Sequence, residues 1–327
     1  MANFFKDNDD LRYYFDKGID WDALVRVTEH ELADTGADGF NTTEEAVGFY
    51  RDIIEMFGEF VATEIKPYEK EIDGNGVELV DGEVVFPERL ATIFDKIKEL
   101  DLHGLPIPRE LGGMNAPMLL YFMNSELMAR ADVSAMAHHG FHAGIAMAML
   151  VFSALEGSSD IDPATGRINE TRWRKAIEEI AAGEAWGCMD ITEPDAGSDM
   201  AALRAVGEQD ADGNWYVTGE KIFITSGHGK YHFVIARTEA ADPGDPTGGL
   251  NGLSMFLVKT YEDDEDGNRT RFVQLSRVEE KLGHHGSATC GLVFDRAPAE
   301  LVGKRGEGFK YMLTLMNNAR VGVGFEC

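Results

Sequence analysis

Gly187-Cys-Met-Asp-Ile-Thr-Glu-Pro-Asp-Ala-Gly-Ser-Asp199 marks a change of character in the chain: helical periodicity precedes it and short β segments follow it. The apolar run into Thr192 predicts a strand, and Pro194, Gly197 and Ser198 predict a tight polar turn after it. Such a turn presents backbone N–H groups and hydroxyls to an anionic or carbonyl-rich ligand. Taken alone, the same residues make an ordinary β-turn equally well. Further on, Gly219-Glu-Lys-Ile-Phe-Ile-Thr-Ser-Gly227 places Phe223 and Thr225 two positions apart, on one face of a strand. A ring beside a hydroxyl suits a flat aromatic ligand, although Phe223 by itself reads as a core aromatic.

Working backwards from this boundary, Thr42 and Glu45 have capping-box spacing. Val47, Tyr50, Ile54, Phe57 and Val61 then recur at helical intervals, predicting a helix to about Ile65 that stops before Pro67. Leu90, Ile93, Phe94 and Ile97 share a face over Glu88 to Leu100. Pro106 to Gly113 is turn-rich, and Met118 to Ala131 resumes the helical pattern. Thr171 to Ala182 predicts a short amphipathic helix, and residues 1–40 an additional helical arm. Forwards from the boundary, strands are expected at Leu203–Gly207, Asn214–Thr218, Lys221–Thr225, His232–Arg237, Ser254–Lys259, Thr270–Leu275 and Gly291–Phe294. Glu262 to Asp266 reads as a solvated hairpin tip. Helical pattern returns with Phe309, Met312, Leu313 and Met316. The fold class expected is α+β multidomain: an arm (1–40), an α-helical N-terminal domain (41–184), a β-barrel-like middle domain (185–302) and the start of a C-terminal helical bundle (303–327).

The 327 residues hold 58 acidic and 30 basic side chains, a formal charge of −28. A field of that sign repels phosphate backbones and anionic lipid, so neither nucleic acid nor membrane is expected as a partner. It also means that an anionic substrate needs local donors. Cys188, Cys290 and Cys327 are too few and too scattered for a disulfide framework or a metal knuckle, and no metal is expected. The first residues lack a basic n-region and an apolar h-region, so no signal peptide is expected. Val133 to Leu155 is uncharged and long enough to raise the membrane question. Its His138, His139 and His142 with Gly140 and Gly144 favour a buried core helix, with or without a break. A soluble cytoplasmic protein is the expectation. His138 and His142 have the i, i+4 spacing of a metal pair but no accompanying carboxylate motif.

Together the two blocks resemble the acyl-CoA dehydrogenase family. Thr-Glu-Pro-x-Ala-Gly-Ser-Asp followed by Gly-x-Lys-x-aromatic-Ile-Thr-x-Gly, in this order, is a specific pair. Pro108-Arg-Glu-Leu-Gly-Gly113, Lys281-Leu-Gly-His-His-Gly-Ser287 and Pro298-Ala-Glu-Leu-Val-Gly303 add to it. The likeness runs from about residue 42 to residue 327, and the arm is similar to that of the longer bacterial members. The resemblance implies FAD between the middle domain and the bundle. Met189, Ile191, Thr192, Gly197, Ser198, Phe223, Ile224 and Thr225 would bind it, with Thr225 at the edge that receives hydride. Phe223 stands where many relatives have Trp. Ser198, Asn317 and Arg320 would hold the acyl-CoA substrate.

The implied reaction is α,β-dehydrogenation of an acyl-CoA thioester, with an electron-transfer flavoprotein as acceptor and a homo-oligomer or complementing subunit as partner. The family's usual catalytic base, a Glu in the bundle, would lie beyond Cys327, and its alternative position is occupied by Ala319. The catalytic residue therefore stays unassigned, and the expectation is a fragment, one subunit of a split enzyme or a noncatalytic relic. An acyl-CoA oxidase is the rival among enzymes. A flavin-free carrier or a DNA-protecting relative is the rival among binding modules, and the acidity weakens the DNA version.

Overall fold

The computed structural model describes residues 2–33, 39–240 and 249–325; Glu326, Cys327 and residues 34–38 of the arm lie outside them. In chain order the elements are α1 (Asp9–Tyr13), α2 (Trp21–Thr28), α3 (Thr43–Phe60), α4 (Glu69–Asn75), β1 (Glu78–Val80), β2 (Glu83–Val85), α5 (Glu88–Glu99), α6 (Met118–Ala131) and α7 (Val133–Leu155). They continue as β3 (Asp160–Ile161), β4 (Ile168–Glu170), α8 (Arg174–Ala181), β5 (Gly187–Asp190), β6 (Val206–Gln209), β7 (Trp215–Thr225), β8 (Tyr231–Arg237) and β9 (Leu253–Lys259). Last come β10 (Tyr261–Asp263), β11 (Arg269–Arg271), β12 (Val273–Val278), β13 (Thr289–Val302) and α9 (Gly308–Gly324). Contacts divide these into two units. One comprises Met1–Asn75, Glu88–Glu184 and Arg320–Cys327, the other Gly76–Pro87 and Ala185–Ala319.

The first unit is helical. Thr42 caps α3 by accepting the Glu45 N–H at 3.2 Å, and the Glu45 carboxylate reaches back to the Asn41 N–H at 2.9 Å. The helix stops before Pro67 as expected: α3 ends at Phe60 and a widened turn carries it to Ile65. A tighter turn over Lys66–Tyr68 then leads into α4. Pro67 falls in the first turn of the new segment, where its missing N–H costs nothing. Tyr50, Ile54 and Phe57 are fully buried along α3, each side chain contributing about 2 kcal/mol by leaving water. The uncharged stretch forms one unbroken 23-residue helix, α7, long and apolar enough to span a membrane by composition and 72% buried over its most apolar window. Asp132 caps it by accepting the Ala135 N–H at 2.7 Å.

The arm packs into this unit through an ion pair. Arg109 lays its guanidinium fork on Glu29, at 2.7 and 2.9 Å, and Tyr50 donates to the same carboxylate at 3.3 Å. The rest of the Pro108–Gly113 block is set by crowding. A Cβ on Gly113 would lie 2.0 Å from the Ile107 carbonyl oxygen, which only glycine avoids.

The second unit is a barrel. Strand pairs β13–β7, β7–β6, β6–β8, β8–β9 and β9–β13 close a circuit, with β5 beside β8 in parallel and β12 beside β13. Closure gives each strand of the circuit two neighbours and leaves β5 and β12 with one partner each. Val217, Ile224, Val234, Phe256, Leu292 and Phe294 fill the interior. The hairpin β1–β2 belongs here despite its place in the sequence, because Val77, Leu79, Val84 and Phe86 pack on this core. The expected hairpin tip at Glu262–Asp266 forms, with Asp264 accepting from the Asp266 and Asn268 N–H groups, and Asp210 builds a second tip by accepting from Asp212 and Asn214.

Candidate functional site

The two decisive sequence blocks meet in the barrel. After β5 the chain turns at Glu193–Ala196, whose backbone groups bond each other at 3.0 and 3.1 Å, with Asp195 in the left-handed region at φ 63°. The Thr192 carbonyl accepts the Ile222 N–H at 2.9 Å and the Ile191 carbonyl accepts the Lys221 ammonium at 2.9 Å. The turn is therefore riveted to β7 beside Phe223.

Glu193 does the rest of the fastening. Its carboxylate, almost fully buried, accepts the Arg204 N–H at 2.6 Å, the Ala205 N–H at 3.0 Å and Lys221 Nζ at 2.8 Å. These contacts engage both of its oxygens in fastening the turn. Burial pulls the Lys221 pKa below the usual lysine value, and the Glu193 charge opposes that shift.

A bulge aims Phe223. Leu292 pairs with Lys221 and Cys290 with Ile224, so Ile222 and Phe223 together face Gly291 alone. Phe223 takes φ 59°, a conformation that strains a bulky residue, and its ring stands 58% exposed. Apolar exposure and backbone strain at one residue are what a ligand platform requires and what a core aromatic avoids. Below it Ile224 points the other way, into the barrel core. The following turn is crowded too, since a Cβ on Gly227 would sit 2.7 Å from Cβ of Cys290.

In the same two blocks Ile191, Thr192 and Thr225 are half-buried, Gly197 and Ser198 exposed and Met189 buried. The hydroxyls of Thr192, Ser198 and Thr225 make no hydrogen bond among the described residues, so the blocks offer three unengaged donor–acceptor groups and an exposed aromatic. This arrangement fits a flat heteroaromatic cofactor with a polar rim, such as a flavin. Asn317 and Arg320 lie three positions apart on one face of α9, both exposed. Ala319 lies between them and carries no titratable group. His138, His139 and His142 are buried within α7, and the metal-capable grouping found among the described residues lies elsewhere.

Sequence reasoning singled out Phe223 and the hydroxyls but not the bulge at Phe223. Gly291 opposite it was no signal, since its small size answers to β12, where Ser276 Oγ would lie 2.7 Å from a Cβ.

Residues 188–297 match the acyl-CoA dehydrogenase middle domain and residues 50–156 the acyl-CoA dehydrogenase N-terminal domain. The 3-methylmercaptopropionyl-CoA dehydrogenase of Ruegeria pomeroyi is 31% identical over 283 residues, covering 84% of this chain and 45% of that protein. A chain in the solved structure of the electron transferring flavoprotein of Acidaminococcus fermentans superposes with a TM-score of 0.66 at 25% identity, over 88% of this chain and 65% of that one. The acyl-CoA dehydrogenase of Bacillus anthracis, solved complexed with FAD, gives a TM-score of 0.64 at 22% identity, over 85% and 42%. The chain spans about half the length of the curated relatives it matches. Through its N-terminal and middle domains, this chain belongs to the acyl-CoA dehydrogenase family.

Proposed function

We propose that the chain binds FAD against Phe223 and serves the α,β-dehydrogenation of an acyl-CoA thioester. The observation that carries this reading is the exposed, strained Phe223 in a turn-and-strand pair that also presents the unengaged hydroxyls of Thr192, Ser198 and Thr225. An FAD-complexed acyl-CoA dehydrogenase of the same fold supports the choice of cofactor.

Bound FAD would supply the hydride acceptor. The chain's own residues hold and orient. Phe223 gives a stacking face, the hydroxyls bond the polar rim, and Asn317 and Arg320 offer an amide and a guanidinium to the CoA ester. In the reaction a base takes the α-proton while the β-hydrogen departs with two electrons, which pass on to an electron-transfer flavoprotein. Glu193 is tied into its turn and Ala319 has no such group, so neither supplies the base, which in the family resemblance belongs to the helical bundle. An assembly with further helical sequence, in the same polypeptide or a companion subunit, would furnish it.

The test is the visible spectrum of the chain purified with FAD supplied. Expected is a bound flavin whose affinity falls about tenfold in Phe223→Ala, the worth of an aromatic contact near 1.4 kcal/mol. Acyl-CoA should not bleach it, and bleaching would show a base within these residues. A chain that takes up no FAD, or a variant that binds it as well as the parent, would end the reading.

A further inference from the structure

On β5 alternate residues face opposite sides. Cys188 and Asp190 therefore turn away from Met189 and Ile191, into the barrel. The parallel pairing sets Cys188 opposite His232 of β8, and all three residues are fully buried. Cys188 Sγ lies 3.1 Å from Asp190 Oδ1, and His232 Nδ1 lies 2.8 Å from Asp190 Oδ2. The three donor atoms fall within 4.8 Å of one another.

The surroundings suit a ligand set. His232 Nε2 lies 3.1 Å from the Gly229 carbonyl, which also accepts the Thr260 hydroxyl at 2.6 Å. A carbonyl can only accept, so Nε2 carries the hydrogen. Nδ1 and Asp190 Oδ2 then share a hydrogen that a metal would displace, while the carbonyl on Nε2 is the outer partner usual for a metal-bound histidine. The cluster also contains a buried carboxylate, which the His232 ring faces at 2.8 Å.

We propose that Cys188, Asp190 and His232 bind a zinc-type divalent ion. Sulfur, nitrogen and oxygen together select zinc over the oxygen-seeking calcium and magnesium. Binding releases the Cys188 thiol proton and the proton shared by Asp190 and His232 to solvent. No electron is transferred. Full burial leaves no open coordination position for a substrate, so the ion is structural and enters as the chain folds. It would staple β5 to β8. This inference does not depend on the flavin reading, because the ligands face the barrel interior.

The test is to unfold the 327-residue chain in denaturant with chelator, refold it with zinc, and measure metal by mass spectrometry after desalting. A parallel sample takes cobalt for its absorption spectrum. Expected are about one zinc per chain and, for cobalt, an intense sulfur-to-metal band with tetrahedral visible bands. Both should be lost in Cys188→Ala and in His232→Gln. A chain that refolds without retaining zinc overturns the proposal, as does cobalt bound without a sulfur band or a zinc content unchanged in Cys188→Ala. Where His232→Gln fails to fold, Cys188→Ala and the unmodified chain decide, since alanine is tolerated in the place of a small buried thiol.

Discussion

Acidification from neutral pH to about 4 should strip the helical unit of several kcal/mol of stability, through histidines rather than through surface carboxylates. His139 and His142 are fully enclosed, and burial holds their pKa values down, to about 4 and about 3 against an ordinary 6.5. His103, whose ring lies 4.3 Å from that of His142, is likewise held well below the ordinary value, by burial first and by its histidine neighbours second. The unfolded chain takes up protons as pH falls through 6.5, and the folded chain does not. The stability these groups confer is therefore whole above 6.5 and drains as pH descends towards their folded values. At about 1.4 kcal/mol per unit per group, His139 and His142 alone forfeit on the order of 6 kcal/mol by pH ~4, a large part of a domain's total stability. Urea melts followed by far-UV dichroism at pH steps between ~7 and ~4 would read this slope directly. His139→Leu should flatten it. Neither ring nitrogen of His139 has a hydrogen-bond partner among the described residues, so the substitution removes no bond and relieves a buried polar group. Equal slopes in the variant and the parent would show that the histidines are not the proton sink.

Replacing Lys221 by Met should destabilise the barrel unit by about 3–5 kcal/mol, the usual consequence of leaving half of a buried ion pair behind. The stranded group is the Glu193 carboxylate, which would keep its two backbone donors and lose the ammonium at 2.8 Å. The Ile191 carbonyl would lose its donor in the same step, loosening the segment that carries Thr192 and Ser198. Glu193→Gln combined with Lys221→Met removes the uncompensated charge and should recover much of the loss, a coupling that a double-mutant cycle measures. If the double variant melts with the single one, the lysine matters for its packing and not for its charge.

How far these features could be read beforehand depended on how local they are. The helices announced themselves because Leu90, Ile93, Phe94 and Ile97 repeat at the helical period, and all four are buried. β13 was seen only as Gly291 to Phe294. Its continuation through Asp295, Arg296 and Pro298 has the composition of a loop, yet pairs with Trp215 to Val217 beyond a bulge where Arg296 takes φ 50°. Tertiary pairing overrode propensity there. Phe223 and Thr225 were legible as one face of a strand. The Glu193–Lys221 pair and the Cys188–Asp190–His232 cluster were not, because each joins residues that come together only through strand pairing, His232 being 42 positions from Asp190.

β13 is also the last barrel strand to be made. It is 14 residues long and pairs with β7, β9 and β12, so no closed circuit exists until it arrives. A ribosome delivers residues in order, at about 5–20 per second. Through the synthesis of everything from β5 to β12 the growing chain therefore carries open strand edges, the template for pairing with the wrong neighbour. The helical residues up to Glu184 can pack while this happens; the barrel must wait for Val302 to leave the exit tunnel. The interval between those two events is when a nascent chain of this protein is most in need of a chaperone.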